Sequence, residues 1–137
     1  MNIGGKCCTT VVLVVDDDPA IRDSLQILLE AHGMDVQTFH SGPDFLERCD
    51  REDVACLVLD IQMPVMSGFD LLKKLSADGR SLPTIMISSL ADPQTRNAAL
   101  QAGAVDLLEK PFDTADLVTA ILKATSQPGS GAGRLAT

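Results

Sequence analysis

Short apolar runs and helical patterns alternate along the chain, and the period at each step separates the two. Val11-Val12-Leu13-Val14-Val15 is an unbroken, largely β-branched run. It is too short for a helix and predicts a strand buried on both faces. The run stops at Asp16-Asp17-Asp18-Pro19. From Ile21 the apolar residues Leu25, Leu28 and Leu29 recur at helical spacing. Asp18 is the expected N-cap of that helix, Pro19 its first residue and Gly33 its stop. Residues 36–39 predict a second strand, and Ser41-Gly42-Pro43-Asp44 opens a helix carrying Phe45, Leu46 and Cys49.

The same alternation continues. Residues 54–59 form another fully apolar run, ending at Asp60 before a loop with Pro64 and Gly68. Phe69, Leu72 and Leu75 mark a third helix, residues 84–87 a fourth strand, and Asp92-Pro93 starts a helix that reaches Gly103. Residues 105–108 predict the fifth strand. Asp113 or Thr114 caps the last helix, whose expected inward stripe is Leu117, Val118, Ile121 and Leu122. Five strand–helix repeats with right-handed crossovers give an α/β fold, a doubly wound parallel sheet with helices on both faces.

Composition sets the outer limits. The chain has 137 residues, 45% hydrophobic and 22% charged, which fits one globular domain and leaves no room for a disordered body. Residues 1–10 read as an unpatterned N-terminal tail and residues 126–137 as a linker or C-terminal tail, a composition through which either end could join another domain. Eleven Lys+Arg against 19 Asp+Glu give a net charge of −8, which repels a phosphate backbone. Trp and Tyr are absent, so base-stacking platforms are missing too. Direct nucleic-acid contact by this domain is therefore not expected. No apolar run approaches the roughly 18 to 20 residues of a membrane helix, and no signal-peptide cleavage pattern follows Lys6, so a cytoplasmic location is expected. Cys7, Cys8, Cys49 and Cys56 form no C-x-x-C pair and read as incidental or buried thiols.

Chemistry collects where such sheets place it, outside the carboxyl ends of the strands. The first strand ends in Asp16 and Asp17, the third in Asp60 and the fourth in Ser88, and the fifth runs out to Lys110 before Pro111. Carboxylates so close repel one another unless a cation lies between them, and hard oxygen ligands on an open rim favour Mg²⁺. A lysine, a hydroxyl and a divalent cation around one carboxylate make a charge-neutralising cradle for a phosphoryl group. The carboxylate itself can then be the nucleophile, forming an aspartyl phosphate. Asp18 reads as an N-cap rather than a further ligand, and His32 and His40 as ordinary surface residues.

The acidic cluster Val15-Asp16-Asp17-Asp18, the run Asp60-Ile61-Gln62-Met63-Pro64-Val65-Met66-Ser67-Gly68, the segment Ile85-Met86-Ile87-Ser88-Ser89, and Ala102-Gly103-Ala104-Val105-Asp106 leading to Glu109-Lys110-Pro111-Phe112 occur in that order. In this order and spacing the chain resembles a response regulator receiver domain of two-component signalling, of the FixJ type, over residues 11–125. The resemblance implies a flavodoxin-like sheet in the order 2-1-3-4-5 with five helices. It implies that Asp60 accepts a phosphoryl group from a sensor histidine kinase, and that Asp16, Asp17, Asp60 and the backbone carbonyl of Gln62 hold Mg²⁺. Lys110 would pair with the phosphoryl oxygens, Ser88 would supply a hydroxyl that moves toward them, and Lys110–Pro111 would be a cis peptide. The product would be a switch acting on an effector domain or protein, with transcriptional regulation as the expected output and phosphorylation-dependent homodimerisation as a further expectation. Such a domain is a phosphoacceptor with self-catalysed transfer and dephosphorylation, not an enzyme.

Two positions depart from the family pattern. Leu107 stands three residues before the lysine, where receivers usually carry an aromatic switch residue, so output is expected to run through the fourth helix and its loop. Leu90, two after Ser88, cannot orient water, so slow autodephosphorylation is expected. Three other readings compete. A haloacid dehalogenase-type hydrolase needs a second aspartate where Gln62 stands, and a P-loop enzyme needs a G-x-x-x-x-G-K-[ST] segment that does not occur. A phosphorylation-independent interaction module would normally have lost one of Asp60, Lys110 or the acidic pair.

Overall fold

Five strands and five helices alternate in the computed structural model, which describes residues 10–49 and 53–125. They are β1 (Val11–Val15), α1 (Pro19–Ala31), β2 (Asp35–Phe39), α2 (Gly42–Arg48), β3 (Cys56–Asp60), α3 (Gly68–Ala77), β4 (Thr84–Ser88), α4 (Pro93–Gln101), β5 (Asp106–Glu109) and α5 (Thr114–Thr125). The strands form one sheet in the order β2-β1-β3-β4-β5, with every neighbouring pair parallel. The expected doubly wound α/β fold is present, flavodoxin-like order included.

The apolar runs hide a two-residue alternation that a continuous hydrophobic string does not display. Val12, Val14, Val58, Ile85 and Ile87 face one way, against Leu25 and Leu29 of α1 and Leu117 and Ile121 of α5. Leu13, Val15, Leu57, Leu59, Met86 and Leu107 face the other way, against Phe45 of α2, Leu71 and Leu75 of α3 and Ala99 of α4. Phe39 and Phe45 meet edge to face, their centroids 5.2 Å apart. Both faces of the central strands are covered, so their carboxyl ends are the part of the sheet left open for chemistry.

Capping residues fix where each helix starts. Asp18 Oδ1 accepts the Ala20 N–H at 2.9 Å, Ser41 Oγ that of Asp44 at 3.0 Å, and Asp92 Oδ1 that of Thr95 at 2.8 Å. Ser67 and Asp70 exchange side-chain and backbone bonds in a capping box. At α5 it is the Asp113 carbonyl that accepts the first N–H groups, from Asp116 at 3.0 Å and Leu117 at 3.2 Å. Gly33, at φ +85°, follows α1 in the left-handed conformation that ends a helix.

Several sequence expectations shift. Leu122 is not part of the inward stripe of α5: it is 50% exposed, because at 3.6 residues per turn it lies about 140° around the helix from Leu117. Val105 precedes β5 and is 39% exposed, while β3 begins at Cys56 and extends through Asp60, and β4 extends through Ser88. Asp60 and Ser88 thus belong to the sheet ladder, which holds their backbones more firmly than a loop would. Cys49 and Cys56 are free, buried thiols in the two separate cores, and burial pushes the Cys56 thiol up to about 12. Residues 1–9 and 126–137, with Cys7 and Cys8 and nearly all of both expected tails, lie outside the described residues. Among the described residues no helix is long and apolar enough to cross a membrane.

Candidate functional site

Asp16 is the first residue past β1, Asp60 the last of β3, Ser88 the last of β4, and Lys110 the first past β5. Backbone bonds set them on one rim: the Asp16 N–H donates to the Phe39 carbonyl at 3.2 Å, the Ile61 N–H to the Ile87 carbonyl at 2.9 Å, and the Lys110 N–H to the Ser88 carbonyl at 2.8 Å. The sheet therefore buries three polar side chains, Asp16, Asp60 and Ser88, at the end of an apolar core. Asp17 stands exposed beside them, and carboxylate oxygens of Asp16, Asp17 and Asp60 all lie within 4.8 Å of one another.

Lys110 supplies the opposing charge. Its Nζ is 3.1 Å from Asp16 Oδ2 and 3.4 Å from Asp60 Oδ1. Burial disfavours the ammonium, but the carboxylates of Asp16 and Asp60 outweigh it and raise the Lys110 pKa. Burial, helped by the nearby Asp16 charge, pushes the Asp60 carboxyl up to about 6, against the pull of Lys110. One cation is thus too little for the acidic group. Asp16 Oδ1 accepts the Asp18 N–H at 2.9 Å, whereas Asp16 Oδ2 is buried without a well-directed hydrogen bond from any described residue. Its neighbour Lys110 is within range but balances it by charge rather than by direction. A buried orphaned oxygen in an all-oxygen cluster fits a hard divalent cation.

A family model described as the response regulator receiver domain matches residues 12–122. The chain belongs to the response regulator receiver family. It is 38% identical over 129 residues to response regulator protein TodT of Pseudomonas putida, covering 92% of this chain and 57% of TodT. It is 41% identical over 110 residues to transcriptional regulatory protein FixJ of Azorhizobium caulinodans, covering 80% of this chain and 52% of FixJ. The chain thus spans about half the length of these relatives. Among solved structures, the receiver domain of the Francisella response regulator 1452 superposes with a TM-score of 0.82 at 28% identity, over 88% of this chain and 99% of that one. FixJ-N superposes with a TM-score of 0.78 at 36% identity, over 85% and 93%. The likeness is to FixJ-type receivers of two-component systems. Receiver domains are phosphoacceptors, and they typically bind Mg²⁺ at an acidic pocket, for which this receiver has its Asp cluster.

The other residues singled out in the sequence sit around this cluster. The Lys110–Pro111 peptide is cis. Leu107 is 1% exposed and packed in the core on the side of α2 to α4. The Gln62 N–H donates to Asp60 Oδ1 at 3.4 Å. Ser88 Oγ accepts the Leu90 N–H at 3.0 Å, so the hydroxyl is engaged by its own loop. The leucyl side chain of Leu90 is half exposed.

Four features of the receiver were not read from the sequence. Arg22 of α1 reaches back through Nη1 to the Asp16 carbonyl at 2.8 Å. Gly68 lies so close to β3 that a Cβ there would stand 2.6 Å from the Asp60 carbonyl oxygen and 2.9 Å from Met86 Cε; only glycine allows α3 to start against the strand carrying Asp60. Val65 holds φ +73° while 93% exposed, at the centre of a tight turn closed by the Met66 N–H on the Pro64 carbonyl at 2.8 Å. Finally, Ser89 Oγ donates to Gln62 Oε1 at 2.9 Å. Gly68 and the Ser89–Gln62 bond depend on which segments meet in the fold, whereas the Arg22 bond and the Val65 turn are local geometries that no periodicity marks. Gly68 alone had a signal in the sequence, a glycine at the opening of a helical pattern.

Proposed function

We propose that this receiver is a phosphorylation-controlled switch in which Asp60 accepts a phosphoryl group from a sensor histidine kinase. The observation that carries the reading is the buried Asp60 carboxylate beside Asp16, with Lys110 Nζ reaching both, 3.4 Å from Asp60 Oδ1 and 3.1 Å from Asp16 Oδ2. A carboxylate kept from water in this way costs the fold stability, and an oxygen nucleophile beside a cation is the use that repays it.

Transfer starts with Asp60. One of its carboxylate oxygens attacks the phosphorus of a phosphohistidine; the new O–P bond forms as the P–N bond breaks, and the electron pair leaves on the imidazole nitrogen, which takes a proton from solvent. Lys110 holds the negative charge on the phosphoryl oxygens, exchanging part of its pairing with Asp60 for them. Ser88, one strand away, gives up the Leu90 N–H and turns its hydroxyl to a phosphoryl oxygen. Asp16, Asp17, Asp60 and the Gln62 backbone carbonyl would hold Mg²⁺, which supplies charge neutralisation to the crowded carboxylates and the incoming phosphoryl group. The domain is a phosphoacceptor with slow self-dephosphorylation rather than an enzyme.

The signal passes to an effector through α4, β5 and α5, where the added charge biases a two-state element. Relatives named as transcriptional regulators, of whose own length the matched region is about half, support a transcriptional effector. With Leu107 in place of an aromatic ring, the β4–α4 loop and α4 carry the larger part of the change. The test is intact-mass spectrometry after incubation with acetyl phosphate, with and without Mg²⁺, on the wild type and Asp60→Asn. A single phosphoryl adduct that needs Mg²⁺ and vanishes in the variant supports the switch. No adduct in the wild type under any metal moves the domain to a phosphorylation-independent interaction module.

A further inference from the structure

Two loops leave the rim beside Asp60, and a single side-chain bond joins them among the described residues. Ser89 Oγ, in the β4–α4 loop, donates to Gln62 Oε1, in the β3–α3 loop, at 2.9 Å. Gln62 is tied to the acceptor through its N–H, which donates to Asp60 Oδ1 at 3.4 Å. Ser89 follows Ser88, whose Oγ accepts the Leu90 N–H at 3.0 Å. The β4–α4 loop is thus fastened at consecutive residues, once to itself through Ser88 and once to the neighbouring loop through Ser89. Both fastenings belong to the arrangement in which the Ser88 hydroxyl points at its own loop.

Turning the Ser88 hydroxyl toward Asp60 leaves the Leu90 N–H without its acceptor, and residues 89–91 then have to rearrange. From this the geometry points to Ser89 as a positioning residue: its bond to Gln62 is a latch that favours the unphosphorylated arrangement of the β4–α4 loop. The inference rests on Asp60 being the phosphoacceptor. A contact made in one state only shifts the equilibrium by its own worth, and favours or opposes any ligand that selects the other state by the same factor. Both side chains are exposed, so the bond competes with water and its net effect is small, about two- to tenfold in an equilibrium constant. That size suits a switch, because one phosphoryl group can overcome it.

The probe is beryllium fluoride with Mg²⁺, a phosphoryl mimic, titrated into the 137-residue chain while the Leu90 amide is followed by ¹H–¹⁵N NMR. Ser89→Ala is expected to bind the mimic about two- to tenfold more tightly than wild type. Ser89→Thr, which keeps the hydroxyl, is expected to stay near wild type. In a Gln62→Ala background, Ser89→Ala is expected to change nothing further. Unchanged or weaker binding by Ser89→Ala, or the same gain in the Gln62→Ala background, overturns the latch while leaving the phosphoacceptor reading intact. A wild type that shows no titration overturns the phosphoacceptor reading and the latch with it.

Discussion

Lys110 Nζ lies 3.1 Å from Asp16 Oδ2, an oxygen that has no well-directed hydrogen bond. The lysine, one residue past β5, is therefore what makes a buried carboxylate tolerable at the end of β1. Removing one partner of a buried pair leaves the other uncompensated, a loss of about 3 to 5 kcal/mol for full burial. Lys110 is partly exposed, so Lys110→Ala is expected to lower unfolding free energy by about 2 kcal/mol in EDTA. Urea denaturation checks this, and added Mg²⁺ is expected to recover part of the loss.

Asp60 gives the opposite sign. Its carboxyl is raised from 3.8 to about 6 in the fold, so the ionised form is less favourable there than in the unfolded chain. Its contribution to stability is intact below about pH 4 and is lost as pH rises toward 6, after which the deficit is constant. Asp60→Asn removes that deficit and is expected to stabilise the metal-free protein by about 1 to 3 kcal/mol at pH 7.5. The gain should shrink at pH 4.5. A gain of equal size at both pH values would show that ionisation of Asp60 is not its source.

Gly68→Ala places a methyl group against the carbonyl oxygen of Asp60, a backbone atom that cannot step aside. The expected cost is about 1 to 3 kcal/mol, as for other overpacked sites. Because the clash displaces the acceptor strand, the rate of phosphorylation by acetyl phosphate is expected to fall along with the melting temperature. Calorimetry and intact mass on the same samples test both.

Leu90 is half exposed beside Ser88 and offers no group to orient a water molecule. Leu90→Asn is expected to speed acyl-phosphate hydrolysis by about tenfold, below the roughly hundredfold of a well-placed general base. The decay of the phosphorylated mass after removal of acetyl phosphate measures it. Equal half-lives for the two proteins would remove Leu90 from the account of slow turnover.

Much of the fold was legible because its signals are local. The run from Val11 to Val15 and the cap–proline pairs Asp18-Pro19 and Asp92-Pro93 act within a few residues, and they specify strands and helix starts without tertiary help. The rim residues Asp16, Asp60, Ser88 and Lys110 were legible for a second reason: a parallel sheet puts all strand carboxyl ends on one side. What could not be read depends on partners distant in sequence. Leu122 has the chemistry of a core residue, and only the angular position of α5 against the sheet turns it outward. The Ser89–Gln62 bond spans 27 residues; Val65 is the exception, a local turn closed by its own neighbours whose left-handed backbone β-branched residues ordinarily avoid.

The central claim is that the nucleophile is the carboxylate of Asp60, and its product can be trapped. Borohydride reduces an acyl phosphate to an alcohol, so a phosphorylated aspartate becomes homoserine. After acetyl phosphate and Mg²⁺ treatment, borohydride reduction and peptide mass spectrometry are expected to place homoserine at position 60 alone. Homoserine at Asp16 or Asp17, or a stable phosphoester on Ser88, would contradict the claim.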